Sequence, residues 1–444
     1  MIQLPPHVHT LLAALQDAGF AAYPVGGCVR DSLMGRVPAD WDVCTAAKPE
    51  DTARVFDHCR LIETGMKHGT VTVLTNGGPV EVTTFRADGA YGDSRHPDAV
   101  TFVPRVEDDL ARRDFTVNAM ALAPDGEIID LYGGQDDLKA GIIRCVGDAD
   151  IRFGEDALRV LRALRFASKL DFTVEENTAR SVLANRARLA HVSPERIFSE
   201  LKGLLTGPGA GRMLRQFAPV IFEIIPELKV QDGFDQKNPN HIHDIWTHTT
   251  MAVDAIEPDP VLRLTMLLHD VGKPEKYFTD EAGVGHFYGH AEAGVALADT
   301  ILRRLRCDNA TRESVTTFIK YHDIEPPQTE KSMRRLLSKL GEDTVRRLIA
   351  CWRADSSDRS DAVRRRNFAV IDASERVLEK VLTQEVCFGL RDLTVNGNDI
   401  MALGVEKGPA VGRILNELFR QVIEEEMPND RDILLEKAAE IIAF

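Results

Sequence analysis

The sequence predicts an α+β fold, in which an N-terminal domain of mixed strands and helices precedes a long all-helical portion. The first 145 residues contain short β-branched runs, among them "GTVTVLT", "PVEVTTFR" and "AVTFVP", separated by glycine-rich and polar turns. From about residue 152 nearly every segment has helical spacing, with glycine and proline breaks near residues 207, 239, 258 and 326. This change of pattern predicts where the first domain ends.

The elements at the start of the chain follow from local patterns. Residues 8–19 have the apolar spacing of a short amphipathic helix. The next stretch, "AAYPVGG", predicts a strand that runs into a glycine turn. The polar stretch "ADGAYGDSRHPD" separates two later strands and predicts a loop.

Composition indicates an ordinary cytoplasmic protein of several domains. The chain has 444 residues, of which 44% are hydrophobic and 28% charged, and at roughly 100 to 200 residues per domain it forms two to four domains. No apolar run reaches the roughly 18 residues of a membrane span, and the N-terminus lacks the pattern of a secretion signal. The seven cysteines include no CxxC pair, which predicts reduced thiols and no zinc knuckle.

The charge is unevenly distributed. The net charge is −15, yet residues 144–215 hold 13 basic and 9 acidic residues, and residues 331–367 hold 11 and 5. Two basic islands in an acidic chain predict binding of a polyanion at chosen places. Solvated helix faces without a partner explain the same charges equally well.

Asp40 and Asp42 form the first candidate site. On a strand, their spacing places both carboxylates on one face, where they repel each other unless a cation lies between them. Mg²⁺ prefers such oxygen ligands, and Glu81 on a later strand is a possible third one. Upstream, Gly26 and Gly27 allow close backbone approach to phosphates, which Arg30 can hold. Without that upstream "VGGCVRD", a polar edge strand would be the better interpretation.

Two further polar groups follow. In "ARRDFTVNAMAL", Arg112 and Arg113 supply cations, and Asp114 and Asn118 lie four apart at a predicted helix start, where they can bind ribose and phosphates. Alone, this pattern indicates only a capped helix.

In "RFGEDALRVLRALRFASKLDF", Asp156 and Arg159 lie three apart on a predicted helix and offer an acceptor beside donors. This pair complements cytosine and adenine but leaves buried groups unpaired against uracil and guanine. An ordinary surface ion pair is the alternative.

These motifs together resemble the class II tRNA nucleotidyltransferases, the bacterial CCA-adding enzymes of the DNA polymerase β superfamily. Five ordered motifs carry the resemblance, from "YPVGGCVRDSLMGRVPADWDVCT" to "SPERIFSEL", across residues 23–201. The resemblance implies a polymerase-β-like head with Asp40 and Asp42 as catalytic ligands of Mg²⁺. It implies that the nucleotide is bound by Gly26, Gly27, Arg30, Arg112, Asp114, Asn118, Asp156, Arg159, Arg162 and Arg165. It also implies a supporting neck motif, formed by Ser193, Glu195, Arg196 and Glu200.

The resemblance implies template-independent addition of CCA to tRNA 3′ ends, with CTP and ATP as substrates and pyrophosphate as product. Poly(A) polymerase shares the head and neck, but a basic C-terminal extension would favour it and this C-terminus is acidic. A CC-only enzyme would lack a loop that residues 86–102 fill here, and an A-adding enzyme is a further alternative within the family.

A second constellation lies in the helical portion. Its order of histidines and aspartates resembles the HD metal-phosphohydrolase domain, with His248, His269, Asp270, His290, His322 and Asp355 as candidate ligands of a divalent transition metal. Paired metals could generate a hydroxide that attacks a phosphoester. A helical domain whose histidines only pack is the alternative, as is a phosphohydrolase with a non-catalytic head.

We therefore predict four parts: a nucleotidyltransferase head (1–145), a base-reading helical neck (146–215), an HD-type helical body (216–365) and a helical tail that binds tRNA (366–444). The sequence does not indicate the oligomeric state.

Overall fold

The structure is a computed structural model that describes residues 2–88, 100–383 and 389–443. The chain forms two compact units. The first comprises Met1–Lys229 and Ile301–Cys307, and the second comprises Val230–Thr300 and Asp308–Phe444. The predicted division into four parts stays a prediction.

A five-stranded mixed sheet organises the N-terminal part of the first unit. Its order is β1-β2-β5-β4-β3, in which β2 and β5 run parallel and the other neighbours run antiparallel. Its strands are β1 (Ala22–Pro24), β2 (Asp42–Thr45), β3 (Arg60–Ile62), β4 (Thr70–Thr75) and β5 (Gly78–Thr84). Two-residue and three-residue strands pair beside it: β6 (Arg86–Asp88) with β7 (Val100–Phe102), β8 (Met120–Leu122) with β9 (Ile128–Asp130), and β10 (Ile142–Ile143) with β11 (Thr173–Val174).

The helix predicted over residues 8–19 spans Pro6–Asp17, and its apolar face packs Val8, Leu11 and Leu15 into the core beside the sheet. The helices of this unit are α1 (Pro6–Asp17), α2 (Gly27–Leu33), α3 (Pro49–Val55), α4 (Val106–Ala111), α5 (Gly134–Ala140), α6 (Ala149–Glu155), α7 (Leu158–Leu170), α8 (Glu176–Asn185), α9 (Pro194–Leu205), α10 (Ala210–Gln216) and α11 (Ala218–Ile224).

The second unit is helical apart from one short hairpin, β12 (Phe278–Thr279) with β13 (Gly285–His286), among the residues that the structure describes. Its helices are α12 (Ile245–Ala255), α13 (Pro260–Leu268), α14 (Lys273–Lys276), α15 (His290–Arg304, whose last turn belongs to the first unit), α16 (Asn309–Tyr321), α17 (Glu330–Leu340), α18 (Glu342–Asp355), α19 (Asp361–Thr383), α20 (Gly397–Ala402), α21 (Pro409–Ile423) and α22 (Arg431–Ala443). The mixed α/β architecture confirms the predicted fold class.

Of the loop predicted over residues 86–102, the structure describes only the two ends, where β6 pairs antiparallel with β7. Residues 89–99 lie outside the described residues. The six described cysteines are free thiols. Among the helices of the described ranges, none is both long and apolar enough to cross a membrane.

Candidate active site and candidate metal centre

The three carboxylates of the head lie on and beside two parallel strands, β2 and β5. Asp42 is the first residue of β2 and stands beside Glu81 of β5 in the parallel register. The prediction that Asp40 lies on the same strand is wrong, because Asp40 occupies an exposed bend before β2 begins. Burial, followed by the charges of Asp40 and Glu81, raises the pKa of Asp42 to about 6. Three carboxylates therefore share a region with too little positive charge.

This surplus of negative charge fits a hard divalent cation. Within the described residues, the groups of three or more potential ligand atoms that approach within 4.8 Å of one another lie in the second unit, so the head carboxylates are more widely spread. Such an open set suits Mg²⁺, which is usually bound by one or two carboxylates together with substrate phosphates. Asp40 and Asp42 fit that ion, with Glu81 on the strand next to Asp42.

Gly26 makes room for an arginine. Its φ of +79° favours glycine, and a Cβ atom would stand 2.8 Å from the guanidinium of Arg113. That guanidinium donates to the backbone oxygen of Asn118 at 3.3 Å and to Asp109 at 3.3 Å. Gly27 begins α2 directly afterwards. The glycine pair thus brings the chain against Arg113, whose charge partly offsets that of Asp42.

Asp109 is a site residue that the sequence reasoning missed. It is fully buried and accepts from Arg112 at 2.8 and 2.9 Å as well as from Arg113. Two hydrogen bonds therefore hold the guanidinium of Arg112 against Asp109. The available signal was the spacing in "DLARR", since an aspartate three and four residues before two arginines faces both on a helix.

A chain of polar contacts joins α2 to α7. Arg30 donates to the side chain of Asn118 at 2.6 Å, and Asn118 donates to Asp114 at 3.4 Å. Arg162 donates to the other oxygen of Asp114 at 2.7 and 2.8 Å. Burial would raise the pKa of Asp114, but Arg162 and Arg159 hold it below its usual value. Asp114 is ionised in this network.

The predicted helix position of Asp114 and Asn118 is wrong. Only residues Thr116–Asn118 are helical, as a single 3₁₀ turn, and Asp114 precedes it. The two side chains meet all the same, because Asp114 accepts from the backbone N–H of Phe115 at 2.9 Å, which turns its carboxylate toward Asn118.

Asp156 and Arg159 are not two positions on one helix, which corrects the prediction. Asp156 is extended (φ −135°) after α6, and α7 begins at Leu158. The pair is also not a mutual ion pair. Asp156 accepts from Arg196 at 2.8 Å, whereas Arg159 donates to Glu155 at 2.5 Å and to the backbone oxygen of Arg112 at 3.1 Å. Separate partners hold each of the two side chains.

The predicted neck motif contacts this region directly. Besides Arg196 on Asp156, Glu200 accepts from Arg165 at 2.5 Å and lies 3.8 Å from Arg162. Ser193 precedes α9 and Glu195 is exposed in its first turn.

The ring of Phe166, which the sequence reasoning missed, has three guanidinium groups over it, at 4.1 Å (Arg165), 5.2 Å (Arg162) and 5.4 Å (Arg30).

The basic islands are largely neutralised by acidic neighbours. In residues 331–367, Arg335 pairs with Glu424, Arg346 with Glu379 and Arg347 with Asp259. In residues 144–215, Arg144 pairs with Asp137 and Arg212 with Asp171, in addition to the pairs of the site. The islands are therefore less available to a polyanion than their composition suggests.

The six ligands predicted in the second unit come together. One group is His248, His269, Asp270 and Asp355, the other is Asp270, His290 and His322, and within each group the ligand atoms lie within 4.8 Å of one another. Asp270 belongs to both groups. Its Oδ2 lies 3.2 Å from Nε2 of His269, and its Oδ1 lies 3.5 Å from Nε2 of His290. A bridging carboxylate of this kind suits two metal ions.

Backbone carbonyls orient three of these imidazoles. The Nδ1 atoms of His269, His290 and His322 lie 2.8, 2.9 and 2.6 Å from the carbonyl oxygens three residues earlier. The Nε2 atoms consequently point into the cluster, where those of His290 and His322 face each other at 3.2 Å. Two facing ring nitrogens need a proton or a cation between them, so the donor set fits a divalent transition metal.

Charged neighbours that the sequence reasoning missed surround this cluster. Lys273 lies 2.7 Å from Oδ2 of Asp270, and the buried Asp358 lies 3.5 Å from Nδ1 of His248. A carboxylate behind a histidine is the usual second partner of a metal ligand. Burial opposes ionisation of Asp270, but His269 and Lys273 hold its pKa well below the usual value. Its carboxylate is ready to act as a ligand.

Comparison with known proteins gives one consistent result. A family model described as "Poly A polymerase head domain" matches residues 22–144, and one for a tRNA nucleotidyltransferase domain 2 matches residues 290–438. The chain is 47% identical to a CCA-adding enzyme of Leuconostoc mesenteroides, over 97% of this chain and 95% of that protein. It is 35% identical to a CCA-adding enzyme of Geobacillus kaustophilus, over 96% of this chain and 95% of that protein.

Solved structures agree in fold. The Bacillus stearothermophilus CCA-adding enzyme in complex with CTP superposes with a TM-score of 0.70 at 28% identity, covering 99% of this chain and all of that one. The Thermotoga maritima CCA-adding enzyme complexed with tRNA_CCA has a TM-score of 0.57 at 18% identity, covering 99% of this chain and 96% of that one, which shows the fold alone.

Proposed function

Because the chain belongs to the family of CCA-adding enzymes and is a tRNA nucleotidyltransferase, we propose that it adds C, C and A in turn to the 3′ end of tRNA. CTP and ATP are the proposed substrates and pyrophosphate the product. One observation carries this proposal at the level of residues. Hydrogen bonds join Arg113 through Asp109 and Arg112 to Arg159 of the base-reading pair, and the charge of Arg113 also acts on Asp42.

We propose that Asp40 and Asp42 hold Mg²⁺, which when bound neutralises the triphosphate and favours ionisation of the 3′ hydroxyl. In the reaction, the 3′ oxygen attacks the α-phosphorus and the bond to the β-phosphate oxygen breaks. The hydroxyl proton passes to solvent and pyrophosphate leaves. Asp42 contributes only when ionised. Arg30 and Arg162 hold Asn118 and Asp114 from either side, which keeps this pair rigid beside the nucleotide.

The base is proposed to be chosen by Asp156 and Arg159. Arg196 holds one carboxylate oxygen of Asp156, and the other accepts from the backbone N–H of Leu158, so the carboxylate has a fixed orientation. Glu155 holds Arg159 in the same way. Fixed groups accept cytosine and adenine, whereas uracil and guanine would place carbonyl against carboxylate. A protein pair can then replace a nucleic-acid template.

Incubating the purified protein with tRNA that lacks CCA and with each labelled nucleotide tests this function. The expected product is tRNA extended by two C and one A, with no incorporation of U or G. The variants Asp40→Ala and Asp42→Ala should lose addition of both C and A while still binding tRNA. Long A tails made from ATP alone would instead indicate a poly(A) polymerase, an activity that the whole-length relatives do not favour.

We propose a second activity for the second unit, metal-dependent phosphoester hydrolysis, because six buried or half-buried ligands converge on a shared carboxylate. The proposed metal is a divalent transition ion such as Ni²⁺, Mn²⁺ or Fe²⁺. Bound metal would supply a hydroxide whose oxygen attacks phosphorus while the ester P–O bond breaks. The comparisons name CCA addition and do not address this activity.

Metal analysis of the purified protein tests this centre directly. The double variant His269→Ala, Asp270→Ala should lose both metal and hydrolysis of a 2′,3′-cyclic phosphate while it keeps CCA addition. Wild-type protein that holds no metal, and that gains no hydrolysis when ions are added, would make the cluster purely structural.

A further inference from the structure

Three aromatic rings lie against one another beside the metal-ligand cluster, and two of them, Phe278 and Tyr288, are exposed. Phe278 and His286 belong to the hairpin β12–β13, and Tyr288 follows it. The ring of His286 stacks on Phe278 (centroids 5.4 Å apart, planes 30° apart) and on Tyr288 (5.4 Å, 20°), whereas Phe278 and Tyr288 are tilted (5.7 Å, 49°). We call these three residues the ring stack.

The ring stack is exposed yet fixed in place. Tyr288 is 74% exposed and Phe278 is 45% exposed. His286 contacts Asp280 of the same hairpin at 2.9 Å, which holds its ring against the other two. Aromatic rings that already pack against one another lose less entropy when a flat ligand stacks on them than isolated flexible side chains do.

The ring stack also borders the cavity above the metal-ligand cluster. His286 and Tyr288 line this cavity together with Asp270, His290 and His322, and its volume is about 280 Å³. That is just below the range of about 300 to 1,000 Å³ for small-molecule sites. The cavity therefore has room for a phosphate and part of a sugar, and an attached base must lie outside it.

Charges of both signs lie on the remaining wall of the same cavity, which includes Asp323. Arg366 is exposed there, whereas Arg359 and Lys273 lie deeper and pair with Asp355 at 2.9 Å and Asp270 at 2.7 Å. Cations beside stacked aromatic rings form the usual surface for single-stranded nucleic acid, where the charges face the phosphates and the rings face the bases.

We propose that the ring stack binds a nucleobase of single-stranded RNA whose 3′-terminal phosphate enters the cavity. This inference rests on the proposed phosphohydrolase function and specifies its substrate class as phosphorylated RNA 3′ ends. A substrate without a base would gain nothing from Phe278, His286 and Tyr288. The exposed guanidinium of Arg366 attracts the phosphate, and the rings select the nucleoside attached to it.

Fluorescence of a Tyr288→Trp variant tests the binding without requiring hydrolysis. The native tryptophans Trp41, Trp246 and Trp352 are buried, so the new emission comes from the exposed ring stack. A trinucleotide with a 3′-phosphate should quench this emission in a saturable way, and ribose 5-phosphate, which lacks a base, should not. The matched control is Ile433→Trp, a tryptophan at another exposed position of the same unit. Equal quenching in both variants, or quenching in neither, overturns the inference.

Steady-state kinetics of the metal-loaded protein give a second test. In Tyr288→Ala, KM for the trinucleotide should rise about 5- to 150-fold, the range that corresponds to the loss of one stacked base, with kcat unchanged. KM for glycerol 2-phosphate should stay as in the wild type, and Tyr288→Phe should restore the trinucleotide value. A parallel loss on both substrates would contradict a role in base binding. Absence of hydrolysis in the wild type would refute the phosphohydrolase function, while quenching decides the ring stack separately.

Discussion

At the residue scale, the ionised form of Asp42 is unfavourable in the folded head. Its pKa is raised to about 6 because burial and two neighbouring carboxylates oppose its ionisation. A folded-state pKa above the ordinary value means that the folded protein binds more protons than the unfolded chain. Stability contributed by this group is therefore lost as the pH rises from about 3.8 to about 6.

Asp42→Asn should consequently stabilise the protein at pH 7 while abolishing nucleotide addition. The shift from 3.8 to about 6 corresponds to a gain in the free energy of unfolding of up to about 3 kcal/mol. Urea unfolding without divalent ions at pH 7 and pH 4 measures it, and most of the difference from wild type should be lost at pH 4. The control Asp136→Asn changes an exposed aspartate and should have little effect. Destabilisation by Asp42→Asn at pH 7 would show that the charge is compensated.

The same group predicts how activity depends on pH. CCA addition should fall as the pH decreases through about 6, since a protonated Asp42 cannot bind a metal ion. Raising the Mg²⁺ concentration should move the midpoint to lower pH, because metal and proton compete for one carboxylate. Initial rates at several Mg²⁺ concentrations measure this shift. A midpoint that ignores Mg²⁺ would assign the titration to another group.

Arg196 is expected to affect the choice of nucleotide through its contact with Asp156, without touching the base itself. Its 2.8 Å bond holds Asp156, so Arg196→Ala should free that carboxylate to rotate. We expect the preference for CTP over UTP to fall about 10- to 150-fold, the cost of one hydrogen bond between charged groups. Single-nucleotide incorporation assays measure it, with Arg212→Ala, which removes contacts to Asp171 and to the backbone oxygen of Phe172, as the control. Unchanged selectivity with a uniformly slower rate would make Arg196 merely structural.

At the element scale, helix ends build the metal-ligand cluster. His269 and His322 directly follow α13 and α16, His290 opens α15, and Asp355 ends α18. At the end of a helix the backbone carbonyls lack intrahelical partners, so the Nδ1–H of a histidine can bind one and leave Nε2 for a metal. Only His248 comes from within a helix, α12.

Metal removal should therefore destabilise the protein. Without a cation, the buried Asp270 and the facing nitrogens of His290 and His322 lose their shared partner. Dialysis against a chelator should lower the Tm, and adding back Mn²⁺ or Ni²⁺ should restore it. The double variant His269→Ala, Asp270→Ala should have a Tm that does not respond to the chelator. An unchanged Tm of the wild type would argue against a resident metal.

At the scale of the whole molecule, ion pairs within the chain limit how polyanions bind. The net charge is −15, and the arginines of both basic islands are largely engaged by acidic partners. We therefore expect few phosphate contacts. We expect recognition of tRNA to depend on shape and on the single-stranded end more than on general attraction.

This predicts a shallow dependence of tRNA affinity on salt. Proteins with six to ten phosphate contacts lose about 10³- to 10⁵-fold in affinity between 50 and 200 mM salt. We expect this protein to lose less than about 10³-fold over that range. Filter binding with tRNA lacking CCA at several salt concentrations measures the slope. A steeper slope would mean that the ion pairs open when tRNA binds.

The sequence by itself determined the fold class, the family and the residue types of both sites. These features depend on local patterns: β-branched strand segments, helical spacing, and short motifs such as "VGGCVRD" and "RFGEDALRVLRALRFA" that follow one another in a fixed order. Even the six ligands of the second unit were found from their order alone. A site that needs particular residue types at particular spacings can therefore be predicted from the sequence alone.

Tertiary structure decided which partner holds each side chain. The sequence did not indicate Asp109, because its contacts with two arginines form only in the folded core. Asp156 lies outside the predicted helix, because the chain is extended at this residue, between the end of α6 and the start of α7. Likewise, the sequence places Arg335 in a basic island, whereas in the structure it forms an ion pair with Glu424, which is distant in sequence. Local spacing carries no information on contacts between segments far apart in the chain, because those contacts form only when the core packs and excludes water.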